Sequence, residues 1–139
     1  MDAPKVHNLE EMDEQQARQF LVEMFTTLSA EKEYALRHED YAMQMPQSGE
    51  RIRGPKNMRA FQRAFATNST PPGIRIRRVL VREGLWIVEG LNDYGEGGTY
   101  NVVLIVELRD GKWWRDTRYY VEPFEAPQWR AHLIERMET

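Results

Sequence analysis

The chain has 139 residues, no cysteine, and 19 basic against 22 acidic residues, for a net charge of −3. That length supports one domain with a real core, and the lack of cysteine excludes disulfide staples, thiolate metal sites and thiol nucleophiles. The near-balanced charge gives no reason to expect nucleic acid or an anionic membrane as partner, and no apolar run approaches a membrane span.

Residues 1–8 read as a loose lead-in without the apolar core of a signal peptide, so a cytoplasmic setting is expected. From Leu9 to Leu28, Ala17, Phe20, Leu21, Met24, Phe25 and Leu28 recur at helical spacing, predicting an amphipathic helix. Ser29 is a good N-cap for a second helix over about Ala30–Arg37, with Tyr34 and Leu36 as its buried positions. Asp40–Met45 alternates and stops at Pro46, as a short strand does. Glu50–Arg53 is a further extended piece. Pro55 then suits the first turn of a third helix, whose apolar stripe is Met58, Phe61 and Phe65.

The remainder reads as strands at Ile74–Arg82, Leu85–Tyr94, Gly98–Arg109 and Lys112–Glu122, separated by glycine-rich turns. Ala126-Pro127 opens a last helix, with Trp129, Leu133 and Met137 along one side. No linker divides the chain, so residues 1–139 form one domain. Helices followed by a meander of strands predict an α+β fold, with a curved antiparallel sheet wrapped around helices.

Asp110-Gly111 joins the last two strand runs, and this dipeptide is a strong hairpin signal. A two-residue turn with unbroken pairing places Ile105 opposite Asp116, Val103 opposite Arg118 and Asn101 opposite Tyr120. One face then carries Asn101, Val103, Ile105, Glu107, Trp114, Asp116, Arg118 and Tyr120. The other carries Tyr100, Val102, Leu104, Val106, Leu108, Trp113, Arg115, Thr117, Tyr119 and Val121. Neither face is plainly polar, so both are expected to touch something.

His7, His38 and His132 fall on separate elements, so no metal site is predicted. No serine sits in a nucleophile elbow, and the glycines at 95–98 lie between strands rather than before a helix, so no nucleotide or other cofactor is expected. Arg75, Arg77, Arg78 and Arg82 read as solvated strand positions. Aromatics gather in the strand half, which suits a core, an interface or a small-molecule pocket. Asp116 and Arg118 are either a structural ion pair or a catalytic pair, with Asp116 as acid/base and Arg118 stabilising an oxyanion.

Three stretches carry a family resemblance: Pro46–Gly54, Glu107–Lys112, and Tyr119–Ala131 (Tyr-Tyr-Val-Glu-Pro-Phe-Glu-Ala-Pro-Gln-Trp-Arg-Ala). With them the chain resembles the SnoaL-like branch of the nuclear transport factor 2-like superfamily, from about residue 12 to 138. The resemblance implies a cone: a strongly curved sheet closed around a pocket by three N-terminal helices and a C-terminal one. It also implies a homodimer formed through the outer face of the sheet. Ketosteroid isomerases of that superfamily keep a base aspartate where this chain has Met45. Limonene epoxide hydrolases keep their catalytic aspartate where it has Arg118, and a tryptophan where it has Asp116. The alignment implies that Trp114, Asp116, Arg118 and Tyr120 face the pocket with Asn101, Val103 and Ile105. Met45, Phe61 and Phe65 complete the expected lining for a small, largely apolar ligand. The implied activity is isomerase-, cyclase- or hydrolase-type acid–base chemistry, or binding alone.

Overall fold

Asp13 starts the first long helix through a reciprocal capping box: its Oδ1 accepts from the Gln16 backbone N–H at 2.8 Å, and its own N–H donates to Gln16 Oε1 at 3.0 Å. In this computed structural model, which describes residues 8–137, helix α1 therefore spans Glu14–Thr27 rather than beginning at Leu9. Ala17, Phe20 and Leu21 form its buried stripe, as the spacing predicts. Residues 1–7 of the expected loose lead-in lie outside the described residues. Leu9 is fully buried, and its N–H donates to the Gly111 carbonyl at 3.0 Å, while the Gly111 N–H donates to Glu10 Oε1 at 2.7 Å. The short 3₁₀ turn Leu9–Glu11 thus clasps the far hairpin.

Helix α2 covers Ala30–Leu36 and runs directly into strand β1, Arg37–Met45. Strand β2 is Glu50–Arg53, and helix α3, with Pro55 in its first turn, is Pro55–Asn68. The meander follows as β3 (Gly73–Arg82), β4 (Leu85–Asp93), β5 (Thr99–Arg109) and β6 (Lys112–Val121). No helix among the described residues is long and apolar enough to cross a membrane.

The six strands lie in the order β2-β1-β6-β5-β4-β3. The fold is α+β as expected, but the sheet is not wholly antiparallel. β1 pairs with β6 in parallel, because the first long strand and the last enter the centre of the sheet in the same direction. Register breaks in β1, β3 and the β5–β6 pair bend the sheet. Helix α1 lies against β3, and α3 against α2, β1 and β2. Glu14 Oε2 accepts from the Val81 N–H at 3.1 Å and Arg18 Nη2 donates to the Ile76 carbonyl at 2.6 Å, so α1 satisfies backbone groups that the edge strand would leave bare.

The core runs under α1 through an edge-to-face aromatic chain, Phe20 to Trp86 at 6.0 Å and Trp86 to Trp113 at 6.1 Å. Gly90 of β4 pairs with Ile76 of β3. A Cβ there would meet the Arg75 carbonyl oxygen at 2.8 Å, beside the break in β3 pairing between Ile76 and Arg78.

The β5–β6 turn is the one the Asp-Gly signal predicts, with positive φ at both Asp110 (53°) and Gly111 (74°). The faces differ from the expectation. Leu108 pairs with Trp113 but Glu107 pairs with Arg115, leaving Trp114 as an extra residue in β6. From there to the end of the hairpin the pairing is one residue off the unbroken register: Val106 opposes Asp116, Leu104 opposes Arg118 and Val102 opposes Tyr120. Asn101, Val103, Ile105 and Trp114 accordingly lie on the outer face, not beside Asp116 and Arg118. The inner face is Tyr100, Val102, Leu104, Val106 and Leu108 with Trp113, Asp116, Arg118 and Tyr120. The bulge turns Trp114 outward, where Arg109 and Arg115 stack on its ring at 5.0 and 4.5 Å.

The expected C-terminal helix is also corrected. Only a 3₁₀ segment forms, at Gln128–Leu133, and Trp129, Leu133 and Met137 are 71%, 71% and 84% exposed. With no apolar surface under them, these residues have nothing to hold a helix in place.

Candidate functional site

The inner face of the sheet, α3 and the loop after it enclose a cavity of about 780 Å³. Most of its wall is apolar: Met58, Phe61 and Phe65 on the helix side, Met45, Ile76, Val88, Val102 and Leu104 on the sheet. Polar groups are few and include Arg118, Glu33, Gln62, Asn92, Tyr94 and Tyr120, the distribution typical of small-molecule sites. Of the residues expected around the pocket, the structure brings Met45, Phe61, Phe65, Arg118 and Tyr120 to the cavity wall. Asp116 lies on the same face, beneath Arg118.

Asp116 is 1% exposed and accepts four hydrogen bonds. Arg118 grips it in bidentate fashion, Nε to Oδ1 at 2.9 Å and Nη2 to Oδ2 at 2.8 Å. The Tyr41 hydroxyl and the Trp113 indole N–H both donate to Oδ2, at 3.0 and 2.9 Å. The bulge at Trp114 makes this possible, because it leaves Trp113 and Asp116 on one face three residues apart. Burial pushes the Tyr41 phenol far up, and the neighbouring Asp116 charge adds to the effect, so this hydroxyl stays a donor. Burial works against charge on Arg118, but the Asp116 carboxylate and its hydrogen bonds, together with Tyr120 and Tyr41, more than offset it and raise the guanidinium still further. Both carboxylate oxygens of Asp116 are engaged, Oδ2 by three donors and Oδ1 by one, whereas Arg118 lines the cavity and its Nη1 has no protein partner among the described residues.

A second polar cluster adjoins the first. Glu33 projects from α2 and is 7% exposed, where the sequence pattern placed Tyr34 and Leu36 as the buried positions. Its Oε1 accepts from Gln62 Nε2 at 2.9 Å and from Arg37 Nη2 at 3.3 Å, while Arg37 Nη1 donates to Gln62 Oε1 at 3.0 Å. Arg37 also lies over the Tyr41 ring at 5.1 Å, which ties the two clusters together. Glu33 Oε2 accepts no hydrogen bond among the described residues. Burial raises the Glu33 pKa above its ordinary value, against the pull of Arg37, Gln62 and Arg118. Toward the other side, Asn92 Nδ2 donates to the Tyr94 hydroxyl at 3.1 Å, and burial pushes that phenol up as well.

Glu33, Gln62, Asn92 and Tyr94 were not visible as site residues in the sequence. Glu33 and Arg37 do stand four apart on a helix, the spacing at which such side chains meet. That signal is common on solvated helices. Among the described residues no group of three or more histidine, aspartate or glutamate side chains is placed to hold a metal ion.

A bent sheet with helices lining a largely apolar cavity defines the chain as an NTF2-like α+β protein. The model of the SnoaL-like domain matches residues 17–116, and the chain belongs to that family. An NTF-2 like protein of unknown function from Burkholderia xenovorans is 31% identical, with a TM-score of 0.71 over 87% of this chain and 94% of that one. A candidate ketosteroid isomerase from Kribbella flavida is 28% identical, with a TM-score of 0.76 over 91% and 93% of the two chains. An LEH-like epoxide hydrolase of M. tuberculosis shares the fold at 16% identity, with a TM-score of 0.62 over 77% and 84%. No curated protein matches the chain.

Proposed function

We propose that the cavity binds a small, largely apolar organic molecule bearing one polar oxygen group, with Arg118 holding that oxygen. The observation that carries this reading is the free Nη1 of a guanidinium whose other nitrogens are fixed by Asp116, at the edge of an apolar cavity of about 780 Å³. A cation locked in this way loses little conformational freedom when it takes a ligand. Tyr120 lines the wall on the same strand and supplies a second hydroxyl. The same guanidinium suits stabilisation of charge developing on the ligand oxygen, the requirement of acid–base isomerase, cyclase and hydrolase reactions. Asp116 serves as the support of Arg118 rather than as a proton carrier, since it is 1% exposed and does not line the cavity, and all four of its hydrogen bonds come from protein donors.

The proposed partner in solution is a second copy on the outer face. There the register aligns Leu80, Ile87, Ile105 and Thr117 in one row across four strands, and Leu80, Tyr119 and Val121 are 45%, 37% and 49% exposed. Light scattering at micromolar concentration should give the dimer mass; a monomer refutes this part.

The cavity is tested with the neutral fluorescent reporter N-phenyl-1-naphthylamine. Saturable binding is expected, weakened about tenfold or more by Val102→Phe, which adds bulk to the cavity wall. No saturable binding to the folded wild type, or equal binding by the variant, sinks the proposal.

A further inference from the structure

The free Arg118 Nη1 is a donor, and Glu33, on the wall of the same cavity, presents a free acceptor. Glu33 is itself almost buried, and the charges of Arg118 and Asp116 both act on its carboxyl, the first favouring its ionised form and the second opposing it. Gln62 and Arg37 both engage Oε1, so the carboxyl group is fixed and Oε2 is the oxygen left over. Oε2 is not an orphan shut away from solvent, because no buried side-chain polar atom of the described residues lacks a partner. The cavity end therefore offers one fixed donor and one fixed acceptor set in an apolar surround. A ligand oxygen alone satisfies Arg118 and leaves Glu33 Oε2 desolvated and unpaired, which a buried carboxylate tolerates poorly.

We infer that the ligand's polar head carries a hydrogen-bond donor next to its oxygen acceptor, as on the edge of a lactam, with the oxygen on Arg118 Nη1 and the N–H on Glu33 Oε2. This deepens the proposed binding function and rests on it. It assigns Glu33 as the residue that determines head-group specificity, with Gln62 and Arg37 as the groups that position it. Simple ketones and anionic carboxylates fit less well. A ketone lacks the donor, and a carboxylate sets a second negative charge against Glu33.

The test is a matched pair competing with the naphthylamine reporter: 4-phenylpyrrolidin-2-one and 3-phenylcyclopentanone, which differ only by N–H in place of CH₂. The wild type should bind the lactam about tenfold more tightly, the scale of one hydrogen bond to a charged group. Glu33→Gln should reverse the order. With the side-chain oxygen kept on Gln62 and Arg37, the new amide turns a donor toward the ligand, so the ketone gains and the lactam loses. Equal binding of the pair by the wild type, tighter ketone binding, or competition by neither while the reporter still binds overturns the assignment. Glu33→Gln that folds and keeps the wild-type preference overturns it too. Absence of reporter binding is a different result: that is failure of the cavity reading itself.

Discussion

Asp116 and Glu33 are both carboxyl groups almost out of reach of solvent at the same end of one cavity, yet their surroundings assign them opposite tasks. Asp116 receives two arms of Arg118, a phenol and an indole, all on fixed elements of the sheet. Glu33 receives two donors on one oxygen and none on the other. A buried carboxylate costs less where both of its oxygens are hydrogen-bonded, and more where one is left without a donor. One carboxylate is therefore a strut of the structure, and the other retains something to give a ligand.

The sharpest way to break this contrast is Arg118→Leu. It strands the Asp116 charge in the interior and should cost about 3–5 kcal/mol in a denaturant titration. A loss below about 1 kcal/mol would mean that Asp116 is not held as a strut. Trp113→Phe removes one of four hydrogen bonds while keeping most of the ring, and about 1–3 kcal/mol is expected by the same measurement.

Glu33→Gln is the counterpart on the other carboxyl and should change stability at neutral pH by only about 1 kcal/mol. Its informative readout is pH. A carboxyl whose folded pKa is raised binds its proton more readily in the native state than in the unfolded chain. Its contribution is complete below the ordinary value of 4.5 and is lost as pH rises through the higher folded value. Wild-type stability should therefore fall across that window relative to Glu33→Gln, and parallel profiles would contradict the raised pKa. The smallest effect on stability belongs outside the cavity: Tyr119→Lys should lie within about 0.5 kcal/mol of wild type for the protomer fold. It should instead shift the mass seen by light scattering toward the monomer.

The order of elements as far as β6 and the hairpin turn were legible in the sequence because both depend on local chemistry. Period-two runs, Asp110-Gly111 at positive φ and Pro55 at a helix start act over a few residues. The inner face was half legible. Asp116, Arg118 and Tyr120 were grouped correctly with one another, since their spacing lies beyond the bulge, but they were paired with the wrong residues of β5. Nothing in the run Lys-Trp-Trp-Arg announces that Trp114 takes no partner, and one unpaired residue reverses every assignment across the hairpin. The parallel β1–β6 contact joins residues more than 70 apart, such as Met43 and Asp116, and no local rule reaches that far. Glu33 was hidden for another reason: a charged residue on a short helix reads as solvated until its tertiary neighbours are known.

Gly90 bears on how such a cavity can change over generations. Any larger residue there collides with the main chain of the adjacent strand, since the Arg75 oxygen would lie only 2.8 Å from the added carbon. Side chains elsewhere can be exchanged and repacked, but main chain does not step aside without moving the whole edge strand and the helix pinned to it. That stretch of wall is consequently closed to gradual tuning. Divergence toward new ligands is open instead at wall positions whose side chains can be exchanged one at a time, such as Val102 on β5 and Phe61 and Phe65 on α3.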